Sequence, residues 1–583
     1  MASEKPAAPV VNLASGDSAQ MSKNERIKTA SEGLYYVQPA KGERHPYADE
    51  IDALDRGESR TTSSEANEIS KFFGVYRQQT RGERGKKTDD HFFMVRIKAP
   101  AGGGFSREQW LALDRAADEY ADGTLRVTSR QGIQYHHVYG PKLAPLIRHL
   151  NRHYRDDATL GACGDVNRNV MSCPIEGLDP EYATGAFDLA FEIADELAPK
   201  STAYFQIFGF DEEGNNRRPI NSSEPLYGDT YLPRKFKIGF AHPTDNSIDV
   251  LTQDIGFVPV TGGAAIDGSV WDLYSGGGLG LTHNMPKTAA LLGLYLGRVR
   301  REQIVEICKS ILILQREQGE RKNRRQARWK YTIRRLGVDA VRQTLRDRFG
   351  IELEDAEPTS LPPMELHLGW HEQRGGGGYY GLSIENGRVT PALRAVIRRV
   401  VEELNASVRA TAQHDLLLCD LQDRAALERI LEEGGVAKPE SISIVRRNSM
   451  ACPAKPTCGL AMTDAENILP SYMDAIEAEG LGDVDVVIRM TGCPNGCARP
   501  PTAEIGIYGY GKNDFVVLVG GSRQGTRIAQ PLYARLPGEQ MVAALIGLLT
   551  AIRDHAGGRP AGEFLHESDP EQLRSWVGVT DEA

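Results

Sequence analysis

The sequence predicts an internally duplicated α+β protein built from mixed layers of helix and sheet. Strand-like runs such as HFFMVRIKAP and DFVVLVGG alternate with helix-like runs such as EQIVEICKSILILQREQ. The seven residues RNVMSCP at 168–174 recur as RNSMACP at 447–453. These two observations together predict two related halves arranged around a pseudo-twofold axis.

The segments that flank the two copies of the motif support a true repeat. TLRVTSRQGIQYHHV precedes the first copy and SVRATAQHDLLLCDL precedes the second, whereas VWDLYSGGGLG and FVVLVGGSRQG follow them. A coincidence of seven positions is the alternative, but order, spacing and residue type recur together. The seam between two such halves is a natural place for a cofactor, because loops from both halves meet there.

Length and composition indicate a globular enzyme of several domains. The chain has 583 residues, 40% of them hydrophobic and 25% charged, with a formal net charge of -10. No apolar run is long enough to span a membrane, and the polar first seventy residues contain no secretion signal. Eight cysteines are too few for a disulfide scaffold and fit metal ligation in a reducing compartment. We therefore expect a cytoplasmic protein that binds neither membrane nor nucleic acid.

Half of the cysteines lie in two tight pairs. CPAKPTC contains Cys452 and Cys458, with five residues between them, and CPNGC contains Cys493 and Cys497, with three. Four thiolates on two loops can hold a structural zinc ion or an iron-sulfur cluster. The wide first loop favours a [4Fe-4S] cluster, and structural zinc remains the alternative.

Two basic segments are candidates for anion binding. LRVTSRQGIQYHH places Arg126, Arg130, Gln134 and His136 on one face of a predicted strand. QREQGERKNRRQARWKYTIRR is a dense basic run after an amphipathic helix. Nucleic-acid binding and a solvated helix face are the other interpretations of that run.

The cysteine motifs and two upstream segments carry a family resemblance. MACPAKPTCGLAM and TGCPNGC, with GDVNRNV and YLPRKFK, resemble the sulfite and nitrite reductase haemoproteins, which contain siroheme coupled to a [4Fe-4S] cluster. The resemblance implies two ferredoxin-like half-domains and two larger siroheme and cluster domains. It divides the chain into an N-terminal arm (1–70), the first half-domain (71–165), a siroheme and substrate domain (166–345), the second half-domain (346–440) and a [4Fe-4S] and siroheme domain (441–583).

The resemblance also implies roles for individual residues. All four paired cysteines would bind the cluster, and Cys497 would also bridge to the siroheme iron. Arg96, Arg168, Lys235 and Lys237 match the substrate pocket, although each alone would be interpreted as a solvated surface charge. We expect the arginines mainly to bind the oxyanion, and the lysines to bind it and deliver protons.

Siroheme carries a ring of carboxylates and implies a basic cradle. The expected cofactor-binding residues are Arg126, Arg130, Gln134, His136, Gly276, Gly277, Gly278, Arg316, Arg321, Arg325, Lys330 and Asn495. Tyr76 and Cys163 match positions that are covalently joined in some relatives, and an unlinked buried pair is equally open. Cys173, Cys308 and Cys419 are expected to be small buried apolar residues.

The function implied is that of an assimilatory sulfite reductase, which reduces sulfite to sulfide with six electrons and turns over some nitrite. A ferredoxin-dependent nitrite reductase that forms ammonia is the nearest alternative. A nucleic-acid-binding protein with a structural metal, or a sensor that retains the cofactors without turnover, is more remote. No flavin or nicotinamide motif is found, so electrons are expected from ferredoxin or a separate flavoprotein subunit.

Overall fold

The structure is a computed structural model that describes residues 22–25, 47–81, 87–200, 203–208, 224–261, 267–282, 285 and 287–579. Part of the predicted N-terminal arm is helical, with α1 at Ala48–Asp55 and α2 at Ser64–Ser70. Ile51 and Leu54 of α1 are buried in the main core. Positions 1–21 and 26–46 of the arm lie outside the described residues.

Two antiparallel sheets have the same strand order. The first half contains β1 (Val75–Arg81), β2 (Lys87–Arg96), α3 (Arg107–Tyr120), β3 (Leu125–Val127), β4 (Ile133–Val138) and α4 (Gly140–His153). Its strands are ordered β1-β2-β4-β3. The second half contains β10 (Gly369–Glu372), β11 (Gly378–Leu382), β12 (Arg388–Val389), α10 (Pro391–Leu404), β13 (Ser407–Ala410), β14 (Leu416–Leu421) and α11 (Arg424–Glu433). Its sheet is ordered β10-β11-β14-β13, so the duplicated half-domain is confirmed.

Two mixed sheets are also equivalent. The first contains β5 (Met171–Ser172), β6 (Ile238–Phe240), β7 (Ile255–Pro259), β8 (Val270–Ser275) and β9 (Leu294–Arg300). The second contains β15 (Ser449–Ala451), β16 (Ile488–Thr491), β17 (Ile505–Gly509), β18 (Asp514–Val519) and β19 (Gln530–Pro537). In each sheet the strands lie in sequence order, the first three parallel and the last two antiparallel to their neighbours.

Helices cover the mixed sheets. Those of the first half are α5 (Ala186–Glu196), α7 (Ile304–Gln318), α8 (Trp329–Leu336) and α9 (Val338–Phe349), whereas α6 (Ala203–Phe208) packs against α1 and α4. Those of the second are α12 (Ile444–Arg447), α13 (Leu469–Ala478), α14 (Met541–His555), α15 (Ala561–Glu567) and α16 (Pro570–Val577). Within the described ranges, no helix combines the length and the apolar character needed to cross a membrane.

The two halves are joined by backbone hydrogen bonds. Strand β12 of the second half pairs antiparallel with β3 of the first, which makes the first antiparallel sheet five-stranded. Phe105 and Val408 exchange two further backbone hydrogen bonds, of 2.8 and 2.9 Å. One apolar core contains residues of both antiparallel sheets and of the first mixed sheet, whereas the second mixed sheet has a core of its own.

Helices α3 and α10 are equivalent and pack against each other across the halves. Ser106 caps α3 through a capping box with Gln109, and Thr390 caps α10 by accepting from the Leu393 backbone N–H. Between the helices, Arg394 Nε donates to Asp114 Oδ1 at 2.8 Å, and both side chains are 1% exposed. A buried charge of this kind is stable only while its partner is present.

We expect Arg394→Met to destabilise the protein by about 3–5 kcal/mol, because it removes the main counter-charge of a buried Asp114. The matched control is Arg399→Met on the same helix, whose ion pairs with Glu403 and Glu433 are exposed and contribute little to stability. Chemical denaturation of the purified protein, followed by circular dichroism, measures both. Equal losses in the two variants would contradict the assignment.

Candidate active site

The four paired cysteines lie at one edge of the second mixed sheet. Cys452 directly follows β15, and Cys493 and Cys497 follow β16, the strand parallel to it. Because neighbouring parallel strands end at the same edge, both cysteine loops leave the sheet side by side. All four cysteines, Cys458 included, line a single cavity of about 1540 Å³, its open mouth included.

The two loops approach so closely that one position requires glycine. A Cβ atom on Gly492 would lie 2.6 Å from both the Ala454 Cβ and the Thr463 carbonyl oxygen. Neither the short Ala454 side chain nor backbone can yield easily to such a contact. Gly492 therefore sets the distance between the loop that carries Cys452 and Cys458 and the loop that carries the second pair.

None of the four cysteines forms a disulfide, and two of the sulfur atoms accept hydrogen bonds. The Gly492 backbone N–H donates to Cys452 Sγ at 3.5 Å, and Asn495 Nδ2 donates to Cys493 Sγ at 3.3 Å. Burial, followed by the nearby Cys497 sulfur, holds the pKa of Cys452 well above that of a free thiol, and raises that of Cys493 to about 12. Cys497 is the exposed member of the set and faces the cavity.

The opposite wall of the cavity comes from the first half and is strongly cationic. Arg96 lies at the end of β2, and Arg168 lies just before β5. The Arg168 backbone N–H donates to the Phe236 carbonyl at 2.9 Å, which places Arg168 next to the segment of Lys235 and Lys237. Phe236 is fully buried and the two lysines line the cavity, as the predicted alternation requires. The structure thus brings together all four residues predicted for the substrate pocket.

The surroundings of both lysines strongly favour the loss of the ammonium proton. Burial, and then Arg234, Arg328 and Arg168, hold the pKa of Lys235 well below its usual range. Burial, and then Arg130 and Lys235, do the same for Lys237. Within the part of the chain that the structure describes, neither lysine pairs with a carboxylate. Such lysines are suited to bind an anion and to release a proton to it.

A series of hydrogen-bonded polar side chains holds Arg96 in place. Gln134, in the amide orientation that satisfies its neighbours, donates to His136 Nε2 at 3.1 Å and accepts from Arg96 Nε at 2.8 Å. Arg96 Nη1 also donates to Cys163 Sγ at 2.9 Å. Burial, and then Arg388 and Arg126, keep the pKa of His136 far below its usual range, so the imidazole is neutral.

Tyr76 and Cys163 contact each other, and both lie next to Arg96. Their side chains share a hydrogen bond, and the Arg96 guanidinium lies 5.9 Å from the Tyr76 ring centre. Burial and the adjacent sulfur raise the pKa of Tyr76, whereas Arg96 and Arg168 outweigh burial and lower the pKa of Cys163. The contact is compatible with both expectations, the unlinked pair and the covalent link.

Several buried side-chain nitrogen atoms of the cavity lining have no partner within the described residues. They are Arg130 Nε, His136 Nδ1, Arg328 Nε, His414 Nδ1 and Arg499 Nε. Buried polar groups are normally hydrogen-bonded. Most of these unpartnered atoms belong to cationic side chains, and all of them lie around one cavity. They therefore indicate a ligand rich in hydrogen-bond acceptors. Siroheme with its carboxylates fits this requirement, and the four free thiols on the opposite wall fit a [4Fe-4S] cluster.

Of the residues predicted for the cofactor cradle, Arg126, Arg130, Gln134, His136 and Asn495 line the cavity. The others do not, and the structure gives them contacts within the protein. They are Gly276, Gly277, Gly278, Arg316, Arg321, Arg325 and Lys330.

The contacts of these seven residues explain their sequence pattern. Lys330 Nζ donates to the Gly278 and Gly280 carbonyls at 2.9 Å each and so supports a loop whose neighbouring residues, Leu279 and Gly280, do line the cavity. A Cβ on Gly277 would lie 2.1 Å from the Leu251 carbonyl oxygen, so this glycine allows close protein packing. Arg321 pairs with Glu25 at 2.8 Å, in the arm. A direct cofactor contact for this group stays a prediction.

Sequence reasoning assigned no role to several residues of the lining. Arg328, Arg499, Gln253 and His414 all face the cavity. Arg499 has φ +59° and donates to the Ser247 and Ala412 carbonyls at 2.7 Å, which fixes the backbone after the CPNGC loop. The only available signal was its position two residues beyond Cys497.

Two family models match the chain. "Nitrite/Sulfite reductase ferredoxin-like half domain" matches 84–153, and "Nitrite and sulphite reductase 4Fe-4S domain" matches 163–353. The chain is 38% identical over 549 residues to "Sulfite reductase [ferredoxin]" of Synechococcus elongatus, covering 89% of this chain and 87% of the relative. The chain belongs to the nitrite and sulphite reductase family. It is also 36% identical over 520 residues to "Sulfite reductase [NADPH] hemoprotein beta-component" of Staphylococcus saprophyticus, covering 86% of this chain and 90% of the relative.

A solved structure has the same fold. The structure of Mycobacterium tuberculosis NirA protein superposes with a TM-score of 0.71 and covers 93% of this chain and 100% of its own. The sequences are 22% identical, so this likeness concerns the fold alone. The family's ferredoxin-like half-domains are the two antiparallel sheets described above.

We expect Gly492→Ala to remove most of the iron and labile sulfide from the purified reductase, because the added methyl group forces the two cysteine loops apart. Gly459→Ala is the matched control: it lies in the same loops, and a Cβ there meets no atom within 4 Å. Iron and acid-labile sulfide per chain are the readouts. Full cluster content in Gly492→Ala, or equal loss in the control, would contradict the role of this glycine.

Proposed function

We propose that this protein is an assimilatory sulfite reductase haemoprotein that reduces sulfite to sulfide with six electrons. The observation that carries the proposal is the pairing of four free thiols with Arg96, Arg168, Lys235 and Lys237 across one cavity. When bound, siroheme and the [4Fe-4S] cluster would pass electrons from the external donor to the oxyanion. Cys452, Cys458, Cys493 and Cys497 hold the cluster, and the exposed Cys497 is the proposed shared thiolate.

The chain's own residues bind and protonate the substrate. Arg96 and Arg168 bind and orient the oxyanion through the forked hydrogen bonds of the guanidinium group. Each sulfite oxygen leaves as water, so protons must reach the substrate as well as electrons. Lys235 and Lys237, whose pKa values are lowered by burial and by neighbouring cations, supply these protons and are recharged from solvent at the open mouth.

The electron donor is proposed to be a separate protein. The sequence contains no flavin or nicotinamide motif, and the relatives are named for ferredoxin in one case and as the haemoprotein component of an NADPH enzyme in the other. Ferredoxin or a flavoprotein subunit would therefore dock near the cluster. We also propose a cytoplasmic location, since a reducing compartment keeps the cysteines available.

Variants of Lys237 distinguish its role in substrate binding from its role in proton delivery. We expect Lys237→Ala to lower kcat by about 100-fold or more and to raise KM, since both charge and acid are lost. Lys237→Arg keeps the charge but cannot release a proton, so it should lower kcat with less effect on KM. Lys512→Ala, at an exposed position, is the control and should match the wild type. Steady-state rates and siroheme content are measured together.

The role of Lys237 fails if its alanine variant is purified without siroheme, because the residue would then act in cofactor binding. It also fails if Lys237→Arg turns over as fast as the wild type.

Sulfide formation tests the reaction itself. The purified holoprotein, reduced anaerobically by an artificial donor, should convert supplied sulfite to sulfide and should reduce nitrite with a lower kcat/KM. Its absorption spectrum should show an isobacteriochlorin. A colourless zinc protein, or a coloured protein that reduces nitrite but forms no sulfide, would refute the proposal.

A further inference from the structure

The first half retains a cysteine at the position that corresponds to a cluster ligand of the second. Cys173 in RNVMSCP aligns with Cys452 in RNSMACP, and both directly follow the first strand of a mixed sheet, β5 or β15. Cys173 is 1% exposed and lies outside the lining of the active-site cavity. As expected, it is buried in a small apolar cluster with Ile175, Leu178 and Leu417, but its thiol also contacts the polar Asp245.

Cys173 lies in a compact group of three residue types that bind metals. Its Sγ is 2.8 Å from Asp245 Oδ2, and His367 Nε2 is 3.2 Å from the same oxygen. The three ligand atoms all lie within 4.8 Å of one another. They come from separate parts of the chain: the end of β5, the loop between β6 and β7, and the segment before β10.

The Asp245 carboxylate is held in place as an anion. Oδ1 accepts from the backbone N–H groups of Ser247 at 2.7 Å and Glu365 at 2.9 Å, and Oδ2 accepts from the Ser247 hydroxyl at 2.6 Å. Across the described ranges, no lysine or arginine forms an ion pair with Asp245; His367 does, at 3.2 Å. A buried carboxylate that stays ionised is a ready ligand for a cation.

The backbone at His367 is unusual. Its φ of +56° lies in the left-handed region, where residues other than glycine are uncommon and cost about 1–3 kcal/mol. β11 passes directly beneath, because a Cβ on Gly381 would lie 1.9 Å from the His367 carbonyl oxygen. This conformation holds the imidazole against Asp245, and a bond to a metal would offset its cost.

We propose that Cys173, Asp245 and His367 form a second metal site, which binds one zinc-like divalent cation. Thiolate, carboxylate and neutral imidazole together carry two negative charges and neutralise such an ion. Sulfur and nitrogen ligands favour zinc over calcium or magnesium. The fourth ligand comes from the solvent side, where Glu365 lies, and is a water molecule or that carboxylate. The cysteine proton is released to solvent when the metal binds.

The site would be structural. The metal would link the segment before β10, which connects the two halves, to the first mixed sheet. This link lies at the position in the first half that corresponds to the cluster loop of the second half. Zinc has no redox chemistry, so the site adds a clamp and does not add an electron carrier.

The test uses the purified holoprotein as it is isolated, dialysed against zinc and then against buffer. We expect about one zinc per chain by mass spectrometry of the metals, and a zinc X-ray absorption edge with one sulfur and the rest nitrogen and oxygen ligands. Cys173→Ser and His367→Gln should reduce zinc about tenfold or more and leave siroheme and iron unchanged. Cys308→Ser, which changes a buried cysteine in α7, is the matched control and should keep the zinc.

Three results would overturn the site: less than about a tenth of a zinc per chain in the wild type, a zinc edge without a sulfur ligand, or one with four sulfurs, which would place zinc on the cluster cysteines. Because the wild-type measurements decide these points, the test holds even if Cys173→Ser does not fold. Zinc is read separately from iron and sulfide production, so failure here leaves the proposed reductase activity intact.

Discussion

Positive charge that lines one partly buried cavity without a protein anion is the constraint on which this structure depends. Arg96, Arg130, Arg168, Lys235 and Lys237 line one cavity, and within the described residues none of them pairs with a carboxylate. Desolvating so many cations is unfavourable, and it depresses the pKa of both lysines. The free-energy cost of desolvating these cations is offset by the rest of the fold and by an anionic ligand. Cofactor binding and the stability of the fold are therefore linked.

The duplication explains how such a cavity is built. The second half contributes the loops that follow its parallel strands β15 and β16, and these loops carry the four thiols. The first half contributes segments that precede its parallel strands β5 and β6, and these segments carry the cations Arg168, Lys235 and Lys237. Copies with the same strand order have therefore diverged in chemistry, and Cys173 is what remains of their common pattern in the first half.

The sequence allowed much of this to be predicted, but not all of it. The repeat and the alternating patterns predicted the fold class, and the spacing of the cysteines, with the four substrate-pocket cations, predicted which side chains meet. Gly277 packs against the Leu251 carbonyl and Lys330 donates to the Gly278 carbonyl, so these contacts give their residue types a structural reason and the predicted cofactor contact stays a prediction. Arg499 and His414 were missed, since their positions depend on loops from both halves. Composition cannot distinguish a lysine that faces a ligand from one that caps carbonyl groups.

The short strand β12 has a consequence for how this chain could arise from a smaller ancestor. Because Arg388–Val389 of one repeat completes the sheet of the other, a single repeat on its own would leave an open sheet edge. Two separate copies could close that edge only by exchanging strands. The simplest precursor is therefore an obligate homodimer, and gene fusion would have preserved its strand exchange while freeing each copy to specialise.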